Sequence, residues 1–283
     1  MSKDVKILLN CWLKNLSNID SFVRSAINLN VDGVELSLDY PLTLSSPESR
    51  RLAKLLADNN LLLAVHLPWR EVHLASPIRE VRLASLKVVR TALGISEYVP
   101  IEYVLTHLST NQAFCGPNDR VCIDASVESL ASIAELANDL GTNVLVETVA
   151  DRCCSNEEKL PAVLEKVNLS SVGVCIDLPH IIERRHKLWG ASLGTVVGVL
   201  RDAPPVILER AFSAHVHGVK RIHGQVMAHV MPSRRFLSHL LREYIENLNR
   251  LKYVTIEVFR DGSGREVRDL SALEWIIERL RRL

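Results

Sequence analysis

Several features are scarce in this sequence, and each scarcity narrows the class of protein. Aromatic residues make up 5% of the 283 residues and the net charge is +1, so the chain has no global basic field of the kind that general nucleic-acid binders use. No apolar run approaches the length of a membrane span, and residues 1–6 lead into a strand-like segment and not a signal peptide. We therefore expect a cytoplasmic protein that binds neither nucleic acid nor a membrane.

Cysteine spacing is also uninformative. The six cysteines form no C-x-x-C pair and no disulfide-like framework, which predicts reduced thiols. They are Cys11, Cys115, Cys122, Cys153, Cys154 and Cys175.

A series of eight strands alternating with helices can be read from the apolar runs. The composition is 47% hydrophobic, enough for a large core. The predicted strands are 5–9, 31–36, 61–66, 103–107, 143–147, 172–176, 211–215 and 253–257. At this length the alternation predicts a single-domain (β/α)₈ TIM barrel over residues 1–283. The alternative, an open doubly wound sheet, needs a glycine-rich phosphate loop after an early strand, and the sequence contains none.

The sixth strand ends in polar residues. Its apolar run, 172–176, is followed by Asp177 and, three residues later, by His180 behind Pro179. A carboxylate and an imidazole together at the end of a buried strand suit a divalent metal. Taken alone, the same pattern also fits an ordinary turn with a nearby surface histidine.

Other predicted strands also end in a histidine or a carboxylate residue. In a (β/α)₈ barrel the carboxyl ends of the strands meet on one face, which carries the functional site. Six consecutive predicted strands end in His66, His107, Glu147, Asp177, His215 and Glu257. Burying that many ionisable groups is costly unless something neutralises them, and one or two cations of the zinc, manganese or iron type would do so.

These strand ends resemble the xylose-isomerase-like barrel superfamily, and more narrowly its endonuclease IV (AP endonuclease family 2) branch. The resemblance rests on the segments 65–69, 106–107, 146–148, 175–180, 215–217 and 256–257. It implies that Glu147 bridges two metals, with His66 and His107 on one of them. The other metal would be held by Asp177, His215 and Glu257.

A third metal in that branch is held by the equivalent of His180 and an Asp-x-His motif, here Met227-Ala228-His229. His180 and His229 are therefore candidate ligands, but methionine cannot replace the carboxylate. His217 or His223 could take its place.

The loops lack the basic and aromatic residues needed to enter a duplex, so DNA repair is not expected. The segment 215–219 is instead similar to cobamide-remodelling phosphodiesterases of the same superfamily.

Two enzymatic functions follow as hypotheses. With two ions, most simply zinc but also manganese, iron or cobalt, we expect hydrolysis of a phosphoester in a small anionic metabolite, assisted by Glu147 or Glu257 as base. With one ion, Glu147 and Glu257 would instead shuttle a proton in a sugar isomerase or epimerase. A degenerate barrel that binds without turnover is a third, non-enzymatic alternative.

Candidate substrate-binding residues follow the strand ends. Cationic side chains there suit an anionic, phosphate-bearing substrate, and Trp69 and Trp189 are candidate walls for a planar or sugar ring. The substrate-binding set that we predict is Trp69, Arg152, Arg184, Arg185, His217 and Arg260.

Overall fold

Eight parallel strands close into a barrel in the computed structural model, which describes residues 5–12, 18–38, 46–108, 120–151 and 153–282. The barrel strands are β1 (Lys6–Cys11), β2 (Gly33–Ser37), β3 (Leu62–His66), β4 (Tyr103–Thr106), β5 (Asn143–Glu147), β6 (Val172–Ile176), β7 (Ala211–Val216) and β10 (Tyr253–Ile256). Around the barrel the order is β1, β10, β7, β6, β5, β4, β3 and β2. Most of these strands are apolar along their length because both faces of a parallel sheet are covered.

Helices cover the outside of the barrel. They are α1 (Ile19–Asn28), α2 (Ser46–Asp58), α3 (Arg79–Ala92), α4 (Arg120–Asp139), α5 (Leu160–Val167), α6 (Leu178–Trp189), α7 (Pro205–Glu209), α8 (Arg234–Asn247) and α9 (Glu274–Leu280). Short 3₁₀ turns lie at Leu93–Glu97 and Leu270–Leu273. The predicted single-domain (β/α)₈ barrel is confirmed, and no helix of the described ranges is both long and apolar enough to cross a membrane.

Over residues 181–208 the sequence pattern is irregular and predicts a long loop followed by one or two short helices, but helix α6 extends to Trp189. The helix begins directly behind β6, where the side chain of Asp177 accepts a hydrogen bond from the backbone N–H of His180 at 2.8 Å. Pro179 lies in the first turn, and Gly190 ends the helix with a φ of +67°. An N-cap carboxylate, an early proline and a left-handed glycine are the signals that delimit a helix. Asp177 therefore fixes both the start of α6 and the position of His180.

A β-hairpin follows β7 and was not predicted. Strand β8 (Gly218–Ile222) pairs antiparallel with β9 (Gln225–Val230). The two turn residues between them, His223 and Gly224, both have positive φ, as two-residue hairpin turns require. The hairpin brings His229 back to the end of the barrel from which β7 emerges.

Among the cysteines that the structure describes, one departs from the expected reduced state. Cys153 is disulfide-bonded, whereas Cys11, Cys122, Cys154 and Cys175 are free and buried. The expectation of six reduced thiols is therefore wrong at Cys153. A disulfide depends on the spatial approach of two Cα atoms, and local sequence spacing does not reveal that approach.

Candidate metal centre

Four side chains from four consecutive barrel strands converge at the carboxyl ends of those strands. This carboxylate cluster consists of Glu147, Asp177, His215 and Glu257, all buried, each offering one ligand atom within 4.8 Å of the others. Nδ1 of His215 lies 3.0 Å from Oε2 of Glu257, 3.4 Å from Oδ2 of Asp177 and 3.5 Å from Oε1 of Glu147. The parallel strands bring these residues together because all of them end on the same face of the barrel.

Glu147 also belongs to a second group, the two-histidine cluster, with His66 and His107. Its Oε2 lies 3.2 Å from Nε2 of His66 and 3.0 Å from Nε2 of His107. Nδ1 of His66 lies 3.0 Å from the carbonyl oxygen of Leu67, which directs Nε2 toward Glu147. The two oxygens of Glu147 therefore face two different groups of potential ligands.

His180, His217 and His229 form a third group, the three-histidine cluster, whose ligand atoms also lie within 4.8 Å of one another. Nε2 of His217 lies 2.8 Å from Oδ2 of Asp177, next to the carboxylate cluster. Of the two histidines considered as replacements for the missing carboxylate, the structure brings His217 into the cluster. His223 is exposed at the hairpin turn.

The three clusters fit divalent cations. Within the described residues, Nδ1 of His215, Oε2 of Glu257 and Nδ1 of His229 are buried without a hydrogen-bond partner. Such atoms are rare in folded proteins, because an unsatisfied buried polar group is costly. A mixed set of imidazoles and carboxylates is what zinc, manganese and iron prefer. Each cluster therefore offers a set of ligand atoms that could hold a divalent cation.

The buried carboxylates and imidazoles of the clusters shift one another's pKa values. Burial would raise the pKa of Glu147, but His215 and His107 outweigh that effect and hold the pKa well below its usual range. Burial would likewise lower the pKa of His66, yet Glu147 raises it to about 9. Burial also opposes the charged form of His180, whose pKa is raised to about 10 by Asp177 and Glu183. Without a cation, protons thus neutralise part of the buried negative charge.

Cation binding is therefore expected to release protons. His66 and His180 are protonated at neutral pH in the metal-free protein, and an imidazole must lose its proton to become a ligand. The affinity for a divalent cation should therefore rise with pH up to about pH 9 to 10, the range of the pKa values of His66 and His180. Zinc titration calorimetry in two buffers of different ionisation enthalpy measures the release. Affinity that stays constant between pH 6 and pH 8 would contradict the expectation.

A cavity of about 940 Å³ opens above the clusters. Aromatic rings border it on two sides: Trp12 stacks on Phe259 with centroids 4.8 Å apart, and Trp69 lies 5.6 Å from His107. The cationic side chains in the lining are Arg70, Lys187 and Arg260. The volume lies near the upper end of the range for small-molecule sites, about 300–1,000 Å³.

The predicted substrate-binding residues that the structure describes divide into three groups. Trp69 and Arg260 line the cavity, and His217 lies in the three-histidine cluster. Arg184 and Arg185 are not in the lining: Arg184 makes two hydrogen bonds to Glu158, at 3.0 and 2.9 Å, and Arg185 lies 3.4 Å from Glu157. These acidic partners draw both guanidinium groups away from the cavity. Arg152 lies outside the described residues.

Trp12, Phe259 and Glu183 lie near the centre but were absent from the predicted set. Trp12 directly follows β1, and Phe259 lies two residues after Glu257, so position after a strand end was an available signal. Glu183 accepts a hydrogen bond from Nδ1 of His180 at 2.9 Å and one from Lys187 at 2.6 Å. Its spacing of three residues from His180 becomes meaningful only once α6 is known to be a helix.

The fold and the centre together define a (β/α)₈ barrel with a candidate divalent-metal site at the carboxyl ends of its strands. The chain belongs to the xylose isomerase-like TIM barrel family, whose model matches residues 23–283. No curated protein sequence shows significant similarity to the chain.

Several sugar epimerases have similar structures. A D-tagatose 3-epimerase-like protein is 16% identical, with 98% of this chain and 97% of that chain covered and a TM-score of 0.70. D-psicose 3-epimerase from Clostridium cellulolyticum H10 is 14% identical, with 98% of each chain covered and a TM-score of 0.68. For 3-keto-D-glucoside 4-epimerase from E. coli the identity is 16%, the coverage 99% and 100%, and the TM-score 0.67. Likeness at these identities establishes the shared fold.

Proposed function

We propose that this chain is a divalent-metal-dependent hydrolase that cleaves a phosphoester bond in a small phosphate-bearing metabolite. One observation carries the proposal: both oxygens of Glu147 face candidate metal ligands. Oε1 faces His215 in the carboxylate cluster, while Oε2 faces His66 and His107. A carboxylate in this position suits a bridge between two cations and has no oxygen left to exchange a proton with a substrate carbon.

The cations and the side chains would have different roles in the reaction. Two adjacent cations, which we expect to be zinc, would lower the pKa of water and stabilise the charge that develops on the phosphoester oxygens. Glu257 lines the cavity beside the other residues of the carboxylate cluster. Burial would raise its pKa, but His215 and His229 lower it. Glu257 is therefore ionised at neutral pH and able to accept a proton as general base.

The cavity supports a substrate that is larger than a simple sugar and anionic. Its cationic lining suits phosphate oxygens, and its aromatic borders suit a ring. The nucleotide loop of a cobamide, which the sequence resemblance suggests, has this combination and is one candidate. Net charge near zero argues against a nucleic-acid substrate.

A second candidate function is a single-metal sugar isomerase or epimerase. The carboxylate cluster is complete without the other two clusters, and it contains the pair of glutamates, Glu147 and Glu257, that would shuttle a proton. The solved structures described above are sugar epimerases or an epimerase-like protein, and this similarity favours the second candidate. The contacts of His66 and His107 with Oε2 of Glu147 favour the first candidate, the phosphoester hydrolase.

The number of cations separates the two candidates. We expect purified protein to contain at least two divalent ions per chain and to hydrolyse members of a phosphodiester panel that includes a cobamide. The double variant His66→Asn/His107→Asn should lose one ion and, by losing half of a two-metal site, about 10²-fold or more of the hydrolysis.

An isomerase would behave differently. It would contain one ion, convert ketoses in a parallel sugar panel, and keep that activity in the double variant. Protein that contains no metal and gains no activity from added zinc, manganese, iron or cobalt would overturn both candidates.

A further inference from the structure

A buried carboxylate lies directly behind the metal centre and belongs to none of the three clusters. Glu35 is in the middle of β2, has no exposed surface and points into the barrel. Its Oε2 accepts hydrogen bonds from the hydroxyl groups of Tyr103 at 2.6 Å and Thr255 at 3.0 Å. A charge is strongly unfavourable inside a barrel unless it is well compensated. Hydroxyl donors from two other strands, β4 and β10, compensate the charge of Glu35.

The other oxygen of Glu35 faces the metal centre. Oε1 accepts a hydrogen bond from Nδ2 of Asn10 at 3.3 Å, and the same nitrogen lies 3.3 Å from Oε1 of Glu257. Oε1 of Glu35 also lies 3.2 Å from Nε2 of His215. This last contact does not have the geometry of a regular hydrogen bond, so the attraction between the carboxylate and the imidazole is electrostatic. Glu35 thus touches one candidate ligand directly and is linked through Asn10 to another.

His215 has its two ring nitrogens in different surroundings. Among the carboxylates of the described residues, Nε2 faces Glu35, whereas Nδ1 faces Glu147, Asp177 and Glu257. An imidazole binds a metal through one nitrogen and usually donates the N–H of the other to a carboxylate or carbonyl, which fixes the ring and its tautomer.

We propose that Glu35 is a positioning residue that keeps the N–H of His215 on Nε2 and leaves Nδ1 to the cation of the carboxylate cluster. Glu35 itself touches neither the cation nor the substrate. The inference rests on the part of the proposed function that places a cation in this cluster, and it holds whether the reaction is hydrolysis or isomerisation.

A purely structural role would have different consequences. If Glu35 only satisfied Tyr103, Thr255 and Asn10, its replacement would change the stability of the metal-free protein and leave cation affinity unaltered. Glu243 offers a matched control. It is also a buried glutamate, but it accepts hydrogen bonds from the backbone N–H groups of Gly198 at 2.6 Å and Leu200 at 3.0 Å and takes no part in the clusters.

The test compares the wild-type protein with Glu35→Gln, Glu243→Gln and Tyr103→Phe. Cobalt(II) is titrated into each metal-free protein while the visible ligand-field spectrum is recorded, and ¹⁵N spectra of the zinc-loaded proteins report the His215 tautomer. We expect Glu35→Gln to weaken cation binding about 10- to 100-fold, the usual effect of losing such a partner. The His215 signals should shift as well. Tyr103→Phe removes one donor to Glu35 and should weaken binding to a smaller extent.

The outcomes separate the two proposals. Folded Glu35→Gln that binds cobalt as tightly as Glu243→Gln, with an unchanged His215 tautomer, would overturn the role of Glu35 and leave the proposed function standing. If Glu35→Gln does not fold, wild-type cobalt affinity in Tyr103→Phe would overturn it instead. Wild-type protein that binds no cation would overturn the proposed function, and the inference with it.

Discussion

Glutamine in place of Glu147 is expected to lower kcat/KM by about 10³-fold or more, whichever of the two reactions the centre performs. The carboxylate lies within 3.0–3.5 Å of three imidazoles, those of His66, His107 and His215. Glutamine has the same shape, but it removes the negative charge and offers one oxygen where two are used. Both the carboxylate cluster and the two-histidine cluster should therefore lose affinity for their cations.

The measurement combines steady-state kinetics with elemental analysis of the purified variant. Glu102→Gln is the matched control, because Glu102 also accepts a hydrogen bond, from Tyr253 at 2.9 Å, but lies just before β4 at the opposite end of the barrel. The control should retain wild-type metal content and activity. A Glu147→Gln protein that keeps its full metal content and most of its activity would remove Glu147 from the centre.

Residues at the carboxyl ends of the barrel strands were predictable from the sequence. Glu147 could be identified because a buried parallel strand is a continuous apolar run, so the first charged residue after it marks the face of the barrel where strands end. The same reasoning applies to His66, His107 and His215. The sequence also predicted the barrel itself, since eight such runs alternate with helical periodicity.

Residues whose position depends on irregular elements were not predictable in this way. His217 and His229 meet only because the β8–β9 hairpin turns back at His223 and Gly224. His-Gly is not one of the dipeptides, such as Asn-Gly or Asp-Gly, that signal a two-residue turn in a sequence. Glu35 was visible as a charge inside a strand, but its partners come from distant parts of the chain. Arg184 and Arg185 suggested an anion site because sequence alone does not show that Glu157 and Glu158 neutralise them.

Asp177 has two roles that substitutions can separate. Its Oδ1 caps helix α6, and its Oδ2 lies 2.8 Å from His217 and 3.4 Å from His215. Asp177→Asn keeps a good capping group and loses the charge, whereas Asp177→Ala loses both. Both variants should lose the cation of the carboxylate cluster and about 10³-fold of the activity. Asp177→Ala should be less stable than Asp177→Asn by about 1 kcal/mol in the metal-free form, the usual contribution of an N-cap.

The stabilising charge of Asp177 should also disappear in acid. Burial would raise its pKa, but His180 and His217 outweigh that effect and hold the pKa well below its usual range in the folded protein. A carboxylate with a depressed pKa stabilises the folded state above its unfolded pKa, about 4, and loses this contribution as the pH falls below that value. The free energy of unfolding of the metal-free wild type should therefore exceed that of Asp177→Asn at pH 7, and the difference should shrink as the pH is lowered from 4 to 2. Urea unfolding at several pH values measures the difference. A gap that widens in acid would mean that Asp177 is not the counterion of these histidines, and Asp177 would then be only a helix cap.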